Sequence, residues 1–432
     1  MTQGPTQATI FSYRVGFGDA FLVRFDYPDR PRHLLIDFGT TGQPKDTENT
    51  LMANVARDIA EKCGGRLEAV VATHRHADHI SGFATKADGS GSGDIIRALD
   101  IDTVIQPWTE APDAATDSLG PEVSSPNRAM TQRLQSLNAM NALSEHVVRM
   151  IDAKQLKDLP KSLHDQLEFI GRDNVKNLSA VENLMTMARR NVYAWHGSDA
   201  GLDDLLPGVK THVLGPPTLR QTETIRKQRS RDPDQYWHFA LKGVAEADEA
   251  RMSDDAPSLF SGHPTFRGSK LPLEVRGIAT RLTQARAEQY LSMVTALDQQ
   301  MNNTSLILLF ETGGKKLLFP GDAQIENWSY ALSKPEIVEL LADVDLYKVG
   351  HHGSLNATPK SVWTAFRKRS QKEGPERLTT LLSTMPGKHG HEEQRTEVPR
   401  RTLLKALKEE SNLHSTHELP AGTLYQEVTI AF

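Results

Sequence analysis

The sequence Thr73-His74-Arg75-His76-Ala77-Asp78-His79 contains four metal-binding side chains within six positions. It directly follows residues 67–72, a mostly apolar run that ends in two valines and an alanine. Short runs of β-branched and apolar residues are typical of strands that are covered on both faces of a sheet. We therefore expect a buried strand here, with the candidate ligands at the point where the strand ends.

The spacing of these side chains predicts two neighbouring metal ions. His74 and His76 are two positions apart, so in extended backbone they point to the same side and can share one ion. The chain must then turn, which brings Asp78 and His79 to a second ion beside the first. The alternative interpretation is a solvated polar loop that carries histidines by chance. Four ligand-type residues at one strand end, with Gly82 behind them, favour the metal site.

The chemistry of the donor groups indicates which metals suit the site. Imidazole nitrogens combined with one carboxylate suit zinc best, and manganese or iron can substitute for it. We therefore expect two divalent ions as cofactors, with zinc preferred and manganese as the alternative.

Composition limits the remaining possibilities only broadly. The chain has 432 residues, of which 38% are hydrophobic and 24% charged, and this predicts one large domain with insertions or two ordinary domains. We expect no membrane partner, because no run approaches the roughly 18 apolar residues of a membrane span. Residues 1–5 lack a signal pattern and Cys63 is the only cysteine, so a cytoplasmic location is expected. The net charge of −5 gives no global attraction to nucleic acid.

The pattern along the chain divides it into three parts. Residues 1–108 alternate between strand-like and helix-like segments, and residues 299–432 return to the same alternation. Residues 109–298 form a mainly helical insertion, interrupted by one strand near 210–217. The predicted helices of this insertion cover residues 129–155, 158–171, 179–192 and 279–298. The insertion could cover the site, mediate self-association or bind a protein partner.

Residues 220–231 of the insertion are locally basic. A solvated helix face is one interpretation of this segment, and a patch that contacts phosphate groups is the other.

The two ends of the chain each place an acid close to the end of an apolar strand. Asp37 ends the predicted strand at 33–39, and Asp322 follows the hairpin strands at 304–310 and 315–319. The strand at 344–349 leads into the pair His351-His352. Ligands that follow separate strands in both halves are what an α/β fold with a two-layer αββα sandwich needs to close a site along one edge.

Together these residues resemble the metallo-β-lactamase superfamily of dinuclear metal hydrolases. Three segments resemble more narrowly the hydrolase domain of the ComEC DNA-uptake family. The resemblance covers residues 8–108 and 299–395, about half of the chain. The three segments are Gly16-Phe17-Gly18-Asp19-Ala20, Asn302-Asn303-Thr304-Ser305-Leu306 and Gly350-His351-His352-Gly353-Ser354.

The resemblance implies a role for each candidate ligand. His74 and His76 hold the first metal, Asp78 and His79 the second, Asp322 bridges both ions, and His352 completes the second site. His351 then faces the substrate as a proton donor or phosphate contact. Asp37 and Asp19 orient the ligands from behind. The implied catalytic residues are Asp78, His351 and His389, and the implied substrate contacts are Asn303, Ser354, Lys388 and His391.

The chain departs from the superfamily pattern at two places. Members commonly supply a third histidine to the first metal from the region that here reads 298–303, which contains none. The first metal would then have fewer protein ligands, and so bind more weakly or be completed by water, or one of the histidines at 196, 212, 238 and 263 could replace the missing one. The second departure lies near the C-terminus, where the family often has Gly-His-Pro and this chain has Gly387-Lys388-His389-Gly390-His391.

These features predict a metal-dependent hydrolase, most specifically a phosphodiesterase or nuclease that acts on a nucleic acid or nucleotide. The first alternative is the same site acting on a lactam, a thioester or another ester. The second is a non-catalytic scaffold of the same fold that binds a partner through the helical insertion. ComEC proteins carry membrane segments for transport, and no such segment is evident here, so DNA uptake itself is not implied.

Overall fold

A computed structural model describes residues 4–112, 149, 178–218, 220–222, 304–354, 358–389 and 397–432. This part of the chain has two mixed sheets and several helices, which confirms the α/β part of the predicted fold class. None of its helices is long and apolar enough to cross a lipid bilayer.

The first sheet has seven strands within the described residues. They are β1 (Gln7–Tyr13), β2 (Ala20–Asp26), β3 (Pro31–Phe38), β4 (Arg66–Val71), β5 (Asp100–Pro107), β6 (Arg190–Ala194) and β13 (Tyr425–Ala431). Their order in the sheet is β13-β1-β2-β3-β4-β5-β6. Strands from β13 to β3 pair antiparallel, and those from β3 to β6 pair parallel.

The second sheet has six strands within the same residues. They are β7 (Lys210–Gly215), β8 (Ile307–Thr312), β9 (Lys315–Phe319), β10 (Leu346–Lys348), β11 (Thr379–Leu382) and β12 (Asn412–Ser415). Their order in the sheet is β12-β11-β10-β9-β8-β7. Strands β8 and β9 form the predicted hairpin, with positive φ at Gly313 and Gly314 in its turn. From β9 to β12 the pairing is parallel.

Helices connect many of these strands. They are α1 (Leu51–Lys62), α2 (Ala77–Ile80), α3 (Ser92–Arg97), α4 (Leu178–Thr186), α5 (Ile325–Leu332), α6 (Pro335–Ala342), α7 (Lys360–Ala365) and α8 (Arg401–Glu410). The first four pack on the first sheet or follow its strands, and the last four accompany the second sheet.

Three buried clusters order these elements into layers. One cluster joins α1, α3 and α4 to the first sheet, and another joins α5 to α8 to the second sheet. The third lies between the sheets, where Phe21 packs on Phe319 and Phe25 on Phe310, each pair with ring centroids 6.1 Å apart. Burying each such ring contributes about 1.5–3 kcal/mol. The layers are therefore, in order, helices, the first sheet, the second sheet and helices.

The alternation within β3 explains how one strand serves two layers. Leu34 and Ile36 point into the cluster between the sheets, whereas Leu35 points into the cluster beneath the helices. In strand β4, Val71 points into the cluster between the sheets and Val70 into the cluster beneath the helices. The strand predicted before the ligands is thus buried on both faces, as expected.

Residues 178–218 contribute to both sheets although they fall within the predicted insertion. Strand β7 coincides with the strand predicted near 210–217. The predicted helix at 179–192 is wrong in its second half, because α4 ends at Thr186 and β6 begins at Arg190. Asn191-Val192-Tyr193 pairs with β5, and its β-branched and aromatic residues suit that role. The predicted helices at 129–155, 158–171 and 279–298 lie outside the described residues, except for position 149.

Candidate metal centre

The ends of four strands bring the candidate ligands together. Asp37 lies at the end of β3, and the segment 74–79 follows β4, which pairs parallel with β3. Asp322 follows β9, and His352 follows its parallel neighbour β10. Because parallel strands end at the same edge of a sheet, each sheet presents its ligands at one edge.

Asp78, His79, Asp322 and His352 form one compact group. All four are buried, and one ligand atom from each lies within 4.8 Å of the others. His352 Nε2 is 2.8 Å from Asp78 Oδ2, and His79 Nε2 is 3.1 Å from Asp322 Oδ2. These are the residues that the resemblance assigns to the second metal, with Asp322 as its bridge.

His74, His76 and Asp78 form a second buried group of three residues, whose ligand atoms also lie within 4.8 Å of one another. His74 Nε2 and His76 Nδ1 are 3.1 Å apart. Among the described residues Asp78 belongs to both of these groups, whereas Asp322, which the resemblance implies as the bridging residue, belongs to the first of them. Asp78 thus places a third side chain of ligand type beside His74 and His76.

Neither described histidine proposed as a replacement ligand joins these groups. His196 Nδ1 lies 2.8 Å from the carbonyl oxygen of Leu214, and His212 Nε2 lies 2.9 Å from Glu311 Oε2. Both rings therefore contact other partners, and neither lies in the two groups. The remaining two, at positions 238 and 263, lie outside the described residues.

Two buried carboxylate oxygens at the centre of the first group indicate that a cation fits there. Asp78 Oδ1 and Asp322 Oδ2 are buried and have no hydrogen-bond partner in the described part of the chain. They lie 3.9 and 3.1 Å from His79 Nε2. Burying an acceptor without a partner costs on the order of 1–3 kcal/mol, so a bound cation would offset a real penalty. The donor set of imidazoles and carboxylates suits zinc or manganese.

The titratable residues of the two groups shift one another's pKa values. Burial lowers the pKa of the His74 imidazole well below its usual value, and His79 and His76 act in the same direction. Burial would also lower the pKa of His79, but Asp322, Asp37 and Asp78 raise it well above its usual value. His79 and His352 in turn hold the pKa of Asp78 low against the opposite effect of burial. Asp78 is thus anionic and attracts positive charge.

Hydrogen bonds on the far side of two histidine rings direct the opposite nitrogens into the site. Asp37 Oδ2 is 2.8 Å from His79 Nδ1, and the same carboxylate accepts from the backbone N–H and the hydroxyl of Thr73. His352 Nδ1 donates to the carbonyl oxygen of Ser383 at 3.0 Å. In both residues Nε2 is therefore the nitrogen that faces the metal-binding group. Asp37 takes the orienting position that the resemblance implies.

Asp19 lies behind the same two histidines. Its carboxylate is fully buried, with oxygens 3.7 Å from His79 Nδ1 and 3.6 Å from His352 Nδ1. It forms an ion pair with the buried ammonium group of Lys348. The sequence reasoning missed Lys348, although a lysine within the apolar strand shortly before Gly350 was a visible signal.

Backbone strain is concentrated at this centre. Within the described residues, the non-glycine residues with positive φ are Asp37 at 54°, His351 at 43° and His352 at 52°. Left-handed backbone costs such residues roughly 1–3 kcal/mol each and persists only where the surroundings impose it. All three are candidate site residues.

His351 is the more exposed member of its pair, with 28% of its side chain accessible against none for His352. Its backbone N–H donates to Asp322 Oδ1 at 3.0 Å. The N–H of Ser354 donates to the His351 carbonyl oxygen at 2.8 Å and closes the turn. Both predicted substrate-facing residues therefore lie next to the ligands.

The segment around His389 lies against the same region. The Phe17 ring packs between His352 and His389, with centroid distances of 4.3 and 4.2 Å. Burial lowers the pKa of His389 to about 4, with Lys388 acting in the same direction, so His389 is neutral near pH 7. Lys388 is exposed, and its side chain lies over Gly42. The other predicted substrate contacts, Asn303 and His391, lie outside the described residues.

No family model matches this chain, and no curated protein matches it. The interpretation of the centre therefore depends on its own residues and geometry.

Proposed function

We propose that this protein is a metal-dependent hydrolase of the metallo-β-lactamase type, with a dinuclear centre that acts on phosphodiesters. A nuclease is the form of this activity that we favour. The observation that carries the proposal is the pair of buried His/Asp groups that share Asp78 at the edge of two packed sheets. The order of helices, sheet, sheet and helices agrees with the sandwich of that superfamily.

The residues divide the work of such a centre between them. Two divalent ions bound there would supply Lewis acidity and a nucleophile at neutral pH. His74, His76 and Asp78 would hold one ion, and Asp78, His79, Asp322 and His352 the other. His351 is accessible beside them and can donate a proton or a hydrogen bond to the leaving oxygen.

Two ComEC-like segments meet at this centre, and this supports phosphodiesters as the substrate class. The turn at 16–19 is anchored to the ligand segment by the Asp19 N–H, which donates to the Asp78 carbonyl oxygen at 2.8 Å. Its Phe17 ring contacts His352 of the second segment. Exposed Lys388 adds a positive charge near His389, which suits an anionic substrate.

The direct test is cleavage of defined substrates by the purified full chain. Single- and double-stranded DNA, RNA and cyclic nucleotides are incubated with the protein and either zinc or manganese. We expect cleavage of at least one, abolished by chelation and reduced about 100-fold or more by Asp322→Asn. The exposed Asp203→Asn is the matched control and should retain activity. Intact substrates with both metals would overturn the phosphodiesterase proposal.

The two alternatives predict different results in the same preparation. Turnover of a chromogenic lactam or a thioester without phosphodiester cleavage would assign the centre to carboxylic substrates. Less than one tightly bound ion per chain, unchanged by His76→Ala, would favour the scaffold. The intact ligand geometry supports the catalytic proposal over this last alternative.

A further inference from the structure

Lys348 is buried at the metal centre, with only 2% of its side chain exposed. Lysine is almost never fully buried unless its charge is paired. Its Nζ forms an ion pair with Asp19, lies 3.5 Å from Asp322 Oδ1 and donates to the Gly321 carbonyl oxygen at 3.3 Å. The lysine therefore connects a carboxylate behind the histidines to a carboxylate among the candidate ligands.

The two oxygens of Asp322 have different surroundings. Oδ1 accepts the N–H of His351 at 3.0 Å and faces Lys348. Oδ2 lies 3.1 Å from His79 Nε2 and has no hydrogen bond within the described residues. One oxygen is thus held by protein donors, and the other is left for the metal-binding group.

We propose that Lys348 is a positioning residue that holds Oδ1 of Asp322 and thereby presents Oδ2 as the metal-facing oxygen. This inference rests on the metal centre proposed above, but not on the identity of the substrate. Terminal carboxylate torsions have broad, shallow preferences, so a fixed orientation requires partners for the second oxygen. A charged donor holds a carboxylate more strongly than a neutral one.

The lysine is itself held from the other side. Asp19 is fixed by its N–H, which donates to the Asp78 carbonyl oxygen, and by its carbonyl oxygen, which accepts from the Gly39 N–H at 2.9 Å. The ion pair between Asp19 and Lys348 therefore links the turn at 16–19 of the first sheet to the end of β10 in the second. The lysine that faces Asp322 is therefore held by an ion pair that joins the two sheets.

A double variant separates this role from a simple effect of charge. Lys348→Met alone leaves Asp19 buried and unpaired, which can prevent folding. Lys348→Met combined with Asp19→Asn removes both charges and leaves the net charge of the centre unchanged. Asp19→Asn alone serves as the reference. Lys368→Met with Asp345→Asn removes another Lys–Asp contact, of 2.6 Å, at the opposite end of β10 and controls for general destabilisation.

The measurements are bound zinc per chain, zinc affinity by competition with a chromophoric chelator, and the visible spectrum of the cobalt-loaded protein. We expect the Lys348→Met/Asp19→Asn variant to bind the weaker of its two ions about 10–100-fold less tightly than Asp19→Asn, with a changed cobalt spectrum. The Lys368→Met/Asp345→Asn control should keep the wild-type affinity and spectrum. If Asp19→Asn does not fold, the comparison is made with wild type.

Equal or tighter binding by the double variant, with an unchanged spectrum, overturns the positioning role. Wild-type protein that binds no ion overturns the metal centre and this inference with it. Wild-type protein that binds two ions and cleaves no substrate, while the double variant loses one, contradicts the hydrolase and supports the role of Lys348.

Discussion

The Asp37 carboxylate and the His79 ring are joined by a 2.8 Å contact between Oδ2 and Nδ1, and both residues are buried. An ionised carboxylate only accepts hydrogen bonds, so Nδ1 carries a proton, and a metal bound at Nε2 would take the place of the second proton of the ring. The protonation of a candidate ligand is thus influenced by a residue that does not itself belong to the group around Asp322.

Replacing Asp37 with Asn should reverse that pattern. The amide oxygen can keep the bond from the Thr73 N–H, which places the amide NH₂ opposite His79 Nδ1. Nδ1 must then accept and Nε2 carries the hydrogen, which blocks coordination. We expect zinc affinity to fall about 10–100-fold, measured by chelator competition. Unchanged affinity, with the fold intact by circular dichroism, would contradict this assignment of the ring nitrogens.

Gly39→Ala should separate β3 from the segment that carries Asp78 and His79. A Cβ at Gly39 would lie 2.5 Å from the Ala77 carbonyl oxygen and 2.6 Å from the His79 carbonyl carbon, and both are backbone atoms that cannot rotate away. We expect the free energy of unfolding to fall by about 1–3 kcal/mol, together with weaker metal binding. Denaturant titration and zinc competition measure the two effects. Gly374→Ala meets no atom within 4 Å and should change neither.

Metal addition should stabilise the folded chain, because the ligands come together only in the folded state. At a free zinc concentration about 100 times the dissociation constant, the gain is about 2.7 kcal/mol. We expect the thermal midpoint to rise with zinc and to return with chelator. His76→Ala should reduce the rise, whereas Ala at the exposed His417 should leave it intact. An identical rise of the thermal midpoint in the two variants would show that His76 does not bind the metal.

His33 should make stability depend on pH at a distance from the metal ligands. Burial lowers its pKa from 6.5 to about 4, although Glu68 acts in the opposite direction. Between these values the unfolded chain binds more protons than the folded chain, so stability falls as the pH drops from 6.5 to about 4. Below that window both states are protonated and this contribution no longer changes.

The total contribution of His33 is on the order of 3 kcal/mol. His33→Gln should flatten the slope of unfolding free energy between about pH 6.5 and 4, measured by urea titration. Near neutral pH both states leave His33 uncharged, so the difference between the two proteins there reports only the altered packing and is subtracted. Equal slopes would show that His33 does not titrate in this window.

The sequence was sufficient for those parts of the centre that depend on local pattern. The strand before His74, the hairpin before Asp322 and the strand before His352 each combine an apolar run with a glycine or a polar residue at its end. Ligand-type residues directly after such runs lie near the edge of a sheet. For this reason the segment 74–79 could be named without coordinates, whereas the roles of Asp322 and His352 came from the resemblance to the metallo-β-lactamase superfamily.

Three features depended on tertiary contacts and were beyond local pattern. The sharing of Asp78 requires the relative positions of three segments. The pairing of Lys348 with Asp19 joins residues from different sheets, and a lysine in a short strand is also compatible with a solvent-facing position. The end of α4 before β6 is decided by pairing with β5, which overrides the helical spacing of residues 179–192.

The contact between His352 Nε2 and Asp78 Oδ2 spans 274 positions of the chain. Closing so long a loop costs conformational entropy before any local contact offsets it, and folds rich in such distant pairings form slowly. A polypeptide emerging from the ribosome holds His74, His76 and Asp78 long before it holds His352. In the centre that we propose, binding of the ion held by His352 would therefore require the two sheets to have joined, and stopped-flow metal binding would follow that stage of folding.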